Sequence, residues 1–383
     1  MRLKNRVLGS SRLVVFAVCM AFAVLVQVPV RTVHAQAQTG PRYVTFDFPD
    51  ASETYAIAEV QPGVIMGWFW DTNGALHSYL RYPNGRFAPI DVPGAANGTA
   101  VNGANLWGMI SGVYRDANMA RRAFVRTSDG KFKLFDVKDA GTNAGQGTWP
   151  ANMNVEAQIG GYYIDGASVS HAFVRSPSGW ITTFDAPGAG TAPYQGTATT
   201  TYGNLNVKGE FTGYYVDANG VFYGFLRYPD GRIKTIDDPL AGHSNATGSG
   251  QGTEPEAINV AGVIVGLYQD PNDVMHGFLR TPDGRFTTID DPIAYAGEAW
   301  AGTYAYDIND LGEVVGGYYD ADWVYHGFLR TPFGKFITID PPGSDETDIN
   351  TITSTGVIVG QYWDDATQKY RGFLCFPGTW WNH

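Results

Sequence analysis

Residues 253–292 read TEPEAINVAGVIVGLYQDPNDVMHGFLRTPDGRFTTIDDP, and looser copies of this stretch recur along most of the chain. The most regular feature is the arginine of the FLR or FVR motif, which Cys375 replaces in the last copy. From residue 81 to residue 375 the feature repeats in six steps, so the mean period is about 49 residues. The arginines are Arg81, Arg126, Arg175, Arg227, Arg280 and Arg330.

Three further markers also occur seven times each. One is a G-x-[YF]-x-D motif, represented by Gly266–Asp270 in the stretch quoted above. The second is an aspartate that ends the RFTTID-like segment, at Asp47, Asp91, Asp136, Asp185, Asp237, Asp290 and Asp340. The third is a threonine early in each copy, which we place at Thr54, Thr99, Thr148, Thr200, Thr253, Thr303 and Thr347.

Each copy predicts four short β-strands. The segments VIVGLYQD and RFTTID are rich in β-branched and aromatic residues and are bounded by Gly, Pro, Asp and Asn. Turns such as PDG and PNG supply the glycine that a tight hairpin needs. The last copy ends with a third strand, Arg371–Phe376, and the region of repeats begins at Arg42 with a fourth strand. Complementary ends of this kind remove exposed sheet edges, which predicts an all-β, seven-bladed β-propeller of four-stranded antiparallel blades whose last blade is closed by the N-terminal strand.

The N-terminal region predicts export. Residues 1–35 combine a basic start, an uncharged stretch from Leu13 to Val30 and small residues near Ala35, a pattern typical of a cleaved signal peptide. A membrane anchor is the alternative, because 18 uncharged residues approach the span of a bilayer. We therefore predict a signal peptide at 1–35, a short linker at 36–41, a single propeller domain at 42–383, and a secreted or periplasmic protein without stable membrane insertion after cleavage.

The charge balance excludes some partners. Five of the 26 basic residues lie in 1–35, which contains no acid, so the remainder carries 21 basic and 37 acidic residues and a net charge near −16. Such a surface repels nucleic acid and anionic membranes. Cys375 is the only cysteine after residue 35, so no intramolecular disulfide is expected. A chain of this length can bury enough surface to fold alone, and we expect a monomer.

The motif His171-Ala172-Phe173, with HGF variants at His276 and His326, resembles the HAF-repeat family of bacterial extracellular proteins. The GxIVGxYxD segment is similar to the hairpin of the same family, and the resemblance covers Arg42 to Phe376. This chain departs from the commonest form of the repeat, since it has Arg and TIDDPxA where that form has Trp and a DLGTLGG run. The resemblance implies export and propeller-like repeats, and it implies no activity.

Four histidines share one repeat position but do not predict a metal site. His77, His171, His276 and His326 begin the third strand of different copies, so they would lie too far apart to share an ion whose bonds are about 2 Å long. We expect each to pair with aspartates of its own blade, for example His276 with Asp270 and Asp290. The sequence predicts no metal site and no cofactor.

The long connections between copies vary in length and composition, as functional loops on a rigid scaffold do. We expect them on the same face of the propeller as the aspartates, around the mouth of its central channel. Aromatic and carboxylate side chains that converge there would suit a sugar or another small polar ligand. The candidate ligand-binding residues are Trp149, Glu254, Glu256, Trp300, Tyr304 and Tyr306.

Three classes of function fit this pattern. The first is a binding module for a glycan or a protein at the long-loop face. The second is a carbohydrate-active lyase or hydrolase at the channel mouth, and the third is a structural or adhesive surface protein. No nucleophile elbow, metal-ligand cluster or phosphate loop occurs in the sequence, so no catalytic residue is assigned and the binding module is the first choice.

Overall fold

The computed structural model of the protein describes residues 40–95, 97–245, 250–376 and Gly378. These residues belong to one compact unit. The interpretation of residues 1–35 as a signal peptide falls outside the described part of the chain. Within that part, no helix is long and apolar enough to cross a bilayer.

Every regular element in the described ranges is a β-strand, as the repeat predicts. The 28 strands are β1 (Arg42–Phe46), β2 (Glu53–Gln61), β3 (Val64–Trp70), β4 (Leu76–Arg81), β5 (Phe87–Ile90), β6 (Thr99–Ala104), β7 (Ile110–Arg115), β8 (Arg121–Arg126), β9 (Phe132–Phe135), β10 (Gly147–Met153), β11 (Ile159–Ile164), β12 (Ser170–Arg175), β13 (Ile181–Phe184), β14 (Gly196–Ala198), β15 (Phe211–Val216), β16 (Phe222–Arg227), β17 (Ile233–Ile236), β18 (Gly252–Ile258), β19 (Ile264–Gln269), β20 (Met275–Arg280), β21 (Phe286–Ile289), β22 (Thr303–Ile308), β23 (Val314–Tyr319), β24 (Tyr325–Arg330), β25 (Phe336–Ile339), β26 (Ser344–Ile352), β27 (Ile358–Asp364) and β28 (Lys369–Phe376).

The strands pair antiparallel in consecutive groups of four. We call these groups sets 1 to 6, from β2–β5 through β22–β25, and set 7, which contains β26, β27, β28 and β1. In set 7 the expected pairing of the two chain ends is present. Tyr43 lies opposite Cys375 and Phe46 lies opposite Gly372.

Several neighbouring sets touch through a glycine. Gly147, Gly196 and Gly252 each form a one-residue parallel bridge to the third strand of the preceding set, and these bridges join sets 2 to 5 into a 16-stranded sheet. A Cβ on Gly252 would lie 1.9 Å from the carbonyl oxygen of Phe222, and the φ of Gly252 is +144°. Only glycine permits this approach and this backbone conformation.

The threonine after that glycine completes the contact. The Oγ1 atom of Thr253 accepts a hydrogen bond of 2.9 Å from the amide of Asp238, just beyond the last strand of the preceding set. In set 4 the equivalent residue is Thr197, which accepts from the amide of Ala186 at 2.9 Å. The assignment of Thr200 to this position was wrong, because β14 is only three residues long and the chain leaves the sheet before residue 200.

The core explains two of the other markers. The third strand of each set buries a large ring, such as Phe124 or Phe173, which is fully inaccessible to solvent. The glycine of the G-x-[YF]-x-D motif makes room for it, because a Cβ on Gly112 or Gly161 would lie 2.8 Å from the ring. Truncating such a buried ring to alanine costs about 3–5 kcal/mol.

The repeated histidines bridge two aspartates of their own set, as expected. Nδ1 of His77, His171, His276 and His326 lies 2.8–3.1 Å from the aspartate that follows the fourth strand. Nε2 lies 3.3–3.9 Å from the aspartate at the end of the second strand. Arg122 makes the equivalent pair of contacts in set 2, to Asp116 and Asp136.

The glycine bridge can be tested by substitution. We expect Gly252→Ala to lower the free energy of unfolding by about 3 kcal/mol or more, because strain and overlap with Phe222 act together. Gly74→Ala is the matched control, since Gly74 also has positive φ (+77°) but a Cβ there would meet no atom within 4 Å. Equal losses for the two variants in urea denaturation would contradict the proposed role of the contact.

The histidine bridge predicts a pH-dependent contribution to stability. Burial opposes the charge of His326, but Asp340 and Asp320 together outweigh it and raise its pKa. The stabilisation is therefore complete below the unfolded pKa of about 6.5 and is lost as the pH rises through the higher folded pKa. We expect the excess stability of the wild type over His326→Gln to be larger at pH 5.5 than at pH 8.5. A difference independent of pH in chemical denaturation would refute this.

Candidate functional site

The first strands of most sets lie side by side in the order β10, β6, β2, β26, β22 and β18, and we call the space that they border the channel. Most of them carry a bulge, as between Pro150 and Asn152 in β10 and between Pro255 and Ala257 in β18. Side chains before the bulge alternate between the interior of the set and the channel. Thr148 is buried within its set, whereas the next residue, Trp149, is partly accessible from the channel.

A cavity of about 340 Å³ opens at the end of the channel where the long connections lie. We call it the mouth cavity. Its aromatic lining comes from three sets, with Trp68 and Trp70 on β3, Tyr114 on β7 and Trp149 on β10. The polar lining includes Asn102, Asn350, Arg115 and Arg121.

The aromatic walls are held in place by further contacts. The ring of Trp68 stacks on Tyr55 with a centroid distance of 4.0 Å, and the Tyr55 hydroxyl donates to Glu53 at 2.7 Å. The guanidinium carbon of Arg121 lies 4.5 Å from the ring centroid of Trp149. The Nε1 atom of Trp149 is buried and has no hydrogen-bond partner among the described residues.

Residues 199–204 cross the channel below the mouth cavity, and we call them the plug segment. The ring of Tyr202 stacks on Tyr306 of set 6 at 5.0 Å, and its carbonyl accepts from Nδ2 of Asn152 at 2.8 Å. Thr201 lines both the mouth cavity and a deeper cavity of about 190 Å³. The early end of β14 thus supplies a segment that narrows the channel.

Two carboxyl groups lie beside the plug segment on β18. Burial raises the pKa of Glu254 to about 7. Burial and the neighbouring charge of Glu254 raise the pKa of Glu256 well above its usual value, and its Oε2 atom has no hydrogen-bond partner in the described part of the chain. A carboxyl with a pKa near neutrality has the property that general acid–base catalysis requires.

The structure divides the six predicted site residues. Trp149 lines the mouth cavity, and the other five do not. Glu254 and Glu256 lie on β18, and Tyr304 and Tyr306 lie on β22. Trp300 is 48% exposed, and its carbonyl oxygen accepts a hydrogen bond from the hydroxyl of Tyr304. Trp68, Trp70, Arg115 and Arg121 also line this cavity and were not among the predicted residues.

No family model and no curated protein matches the chain. Solved structures do resemble it. A streptogramin B lyase has a TM-score of 0.55 at 13% identity, over 89% of this chain and all of the lyase chain. The BP39L lectin from Burkholderia pseudomallei has a TM-score of 0.52 at 10% identity, over 87% and 98% of the two chains. A puromycin hydrolase has a TM-score of 0.51 at 11% identity, over 85% of this chain and 55% of the hydrolase. These likenesses show a propeller-type all-β fold.

The burial of Glu254 predicts a pH-dependent stability cost. Its carboxyl has a folded pKa of about 7, against 4.5 when exposed. Ionisation of this carboxyl as the pH rises from 4.5 through 7 therefore lowers the stability of the folded state. We expect Glu254→Gln to gain thermal stability relative to the wild type at pH 8 but not at pH 4.5. Glu156→Gln, at an exposed position, is the control and should change neither. A pH-independent effect of Glu254→Gln would contradict the prediction.

Proposed function

We propose that the protein binds a carbohydrate and that the mouth cavity is the binding site. The observation that carries this proposal is the presence of three tryptophan side chains, Trp68, Trp70 and Trp149, around one cavity of about 340 Å³. This volume lies at the lower end of the range for small-molecule sites, which suits the terminal units of a glycan.

The chemistry of the lining fits a sugar. The flat aromatic faces can cover the C–H faces of a pyranose ring, and the amides of Asn102 and Asn350 can bond to its hydroxyl groups. One of the structures similar to this chain, BP39L, is a lectin, which agrees with the proposal.

We also propose that the seven sets form a closed seven-bladed propeller. The support comes from the boundary between sets 7 and 1, where β2 lies against β27 and β28. Nδ2 of Asn350 donates to the carbonyl of Ala56 at 2.7 Å. Phe46, Ile65 and Leu374, from both sets, pack into one hydrophobic cluster. The first strand of the chain then completes the last blade, and the strands surround the channel.

Export is a further part of the proposal. The pattern of residues 1–35 and the resemblance to the HAF-repeat family both favour a secreted or periplasmic protein. A carbohydrate-binding site would then face glycans outside the cytoplasm.

A carbohydrate-active enzyme is the second candidate. The observation in its favour is the pair formed by Glu254 and Glu256, because one carboxyl with a pKa of about 7 beside a second buried carboxyl can divide the roles of acid and base. Release of new reducing ends or unsaturated ends from a bound glycan would distinguish the enzyme from a binding protein.

Carbohydrate binding can be tested on a glycan array with the protein lacking residues 1–35. We expect Trp68→Ala and Trp149→Ala to weaken binding about tenfold, since the loss of a stacked aromatic contact of about 1.4 kcal/mol changes Kd by that factor. Trp180→Ala is the matched control, because Trp180 is 81% exposed and does not line the mouth cavity. Binding that is the same for all three variants and the wild type would place the ligand elsewhere.

A further inference from the structure

Two arginines face each other at the wall of the mouth cavity. Arg115, at the end of β7, lies directly opposite Arg121, at the start of β8. Both side chains line the cavity. Like charges directly opposite each other on neighbouring strands destabilise a sheet, so this pair has an energetic cost.

The repeat supplies six internal comparisons for this position. None of the pairs at the same register in the other sets contains a charged residue. They are Trp70–Leu76, Ile164–Ser170, Val216–Phe222, Gln269–Met275, Tyr319–Tyr325 and Trp363–Tyr370. The fold therefore accepts uncharged pairs here, and the arginine pair of set 2 is not needed to build the hairpin.

The charge of the pair is not neutralised by the described residues of the protein. The nearest acid in sequence, Asp116, is bonded to Arg122 at 2.9 Å. Arg121 donates one hydrogen bond, from Nη1 to the carbonyl of Gly145 at 2.6 Å, and forms no ion pair within the described ranges. Arg115 also forms no ion pair with the described residues. Burial lowers the pKa of Arg121, and the charge of Arg115 acts in the same direction.

The acidic groups of the channel lie away from this wall. Glu254, Glu256 and Asp348 are on β18 and β26, and none of them lines the mouth cavity. The chain as a whole has a net charge of −11, whereas the lining of the mouth cavity includes two arginines and no acidic residue. Each guanidinium offers a planar array of donors that matches a carboxylate.

We propose that the mouth cavity selects an acidic sugar, whose carboxylate lies between Arg115 and Arg121 while its ring lies against Trp68 and Trp70. This inference rests on the proposed carbohydrate binding and names the class of glycan. The bound anion would remove the repulsion between the two arginines, so binding would stabilise the folded protein.

The test uses digalacturonic acid and its methyl ester, which differ in charge but share the sugar rings. We expect the wild type to bind the acid at least tenfold more tightly than the ester in calorimetry at pH 7 and low salt. Arg115→Met should lose this preference, so that the ratio of its affinities for the acid and the ester falls towards one. Arg232→Met, which removes a 74% exposed arginine side chain outside the cavity, should bind as the wild type does.

A stability measurement separates binding from a structural role. Without ligand, Arg115→Met should melt at a higher temperature than the wild type, because the repulsion is relieved, whereas Arg232→Met should not. Arg121→Met should also lose the preference for the acid. A lower melting temperature for Arg115→Met would show that the pair supports the hairpin and would overturn the inference.

The possible binding results are distinguishable. Equal affinity of the wild type for the acid and the ester would overturn the selection of an acidic sugar and leave carbohydrate binding intact. Tighter binding of a sulfated disaccharide than of digalacturonic acid would overturn the choice of a carboxylate. Failure to bind either disaccharide, together with a blank glycan array, would overturn both proposals.

Discussion

Sets 2 to 5 are joined by a glycine–threonine dipeptide at the start of the first strand of each following set. The glycine brings its backbone against the third strand of the preceding set, and the threonine hydroxyl accepts from the amide that follows the fourth strand. One dipeptide thus fixes the spacing and the register between two sheets at the point where the long connection ends. Because this junction involves mainly backbone groups and a buried hydroxyl, the side chains that face the channel are free to differ from set to set.

That separation of roles explains why the fold could be predicted. The repeated glycine of the second strand and the ring of the third strand are complementary in volume, so both recur in the sequence at constant spacing. The histidine and its two aspartates also recur at constant spacing, because each histidine contacts both aspartates of its own set. Set 4 shows the limit of this approach. Thr197 and Thr200 are both plausible from spacing alone, and only the early end of β14 decides between them.

Most residues that line the mouth cavity were not predicted from the sequence, for a physical reason. Trp149 follows the repeating threonine, and the alternation of a strand places it toward the channel. Trp68 and Trp70 lie on the second strand, and the sequence does not indicate how far that strand reaches into the mouth. The plug segment could not be foreseen either, because Tyr202 meets Tyr306 through a contact between distant sets. The arginine pair did leave a signal, since aligning the repeats places two charges where every other copy has none.

The pairing of β1 with β28 joins residues that are more than 300 positions apart in the sequence, as with Arg42 and Phe376. Such non-local contacts form slowly, because a long loop must close before they contribute. Set 7 cannot be completed until almost the whole chain has been synthesised and its first strand has returned to its last. Under the proposed export, the segment after the predicted signal peptide would stay unpaired until the C-terminal strand reaches the same compartment.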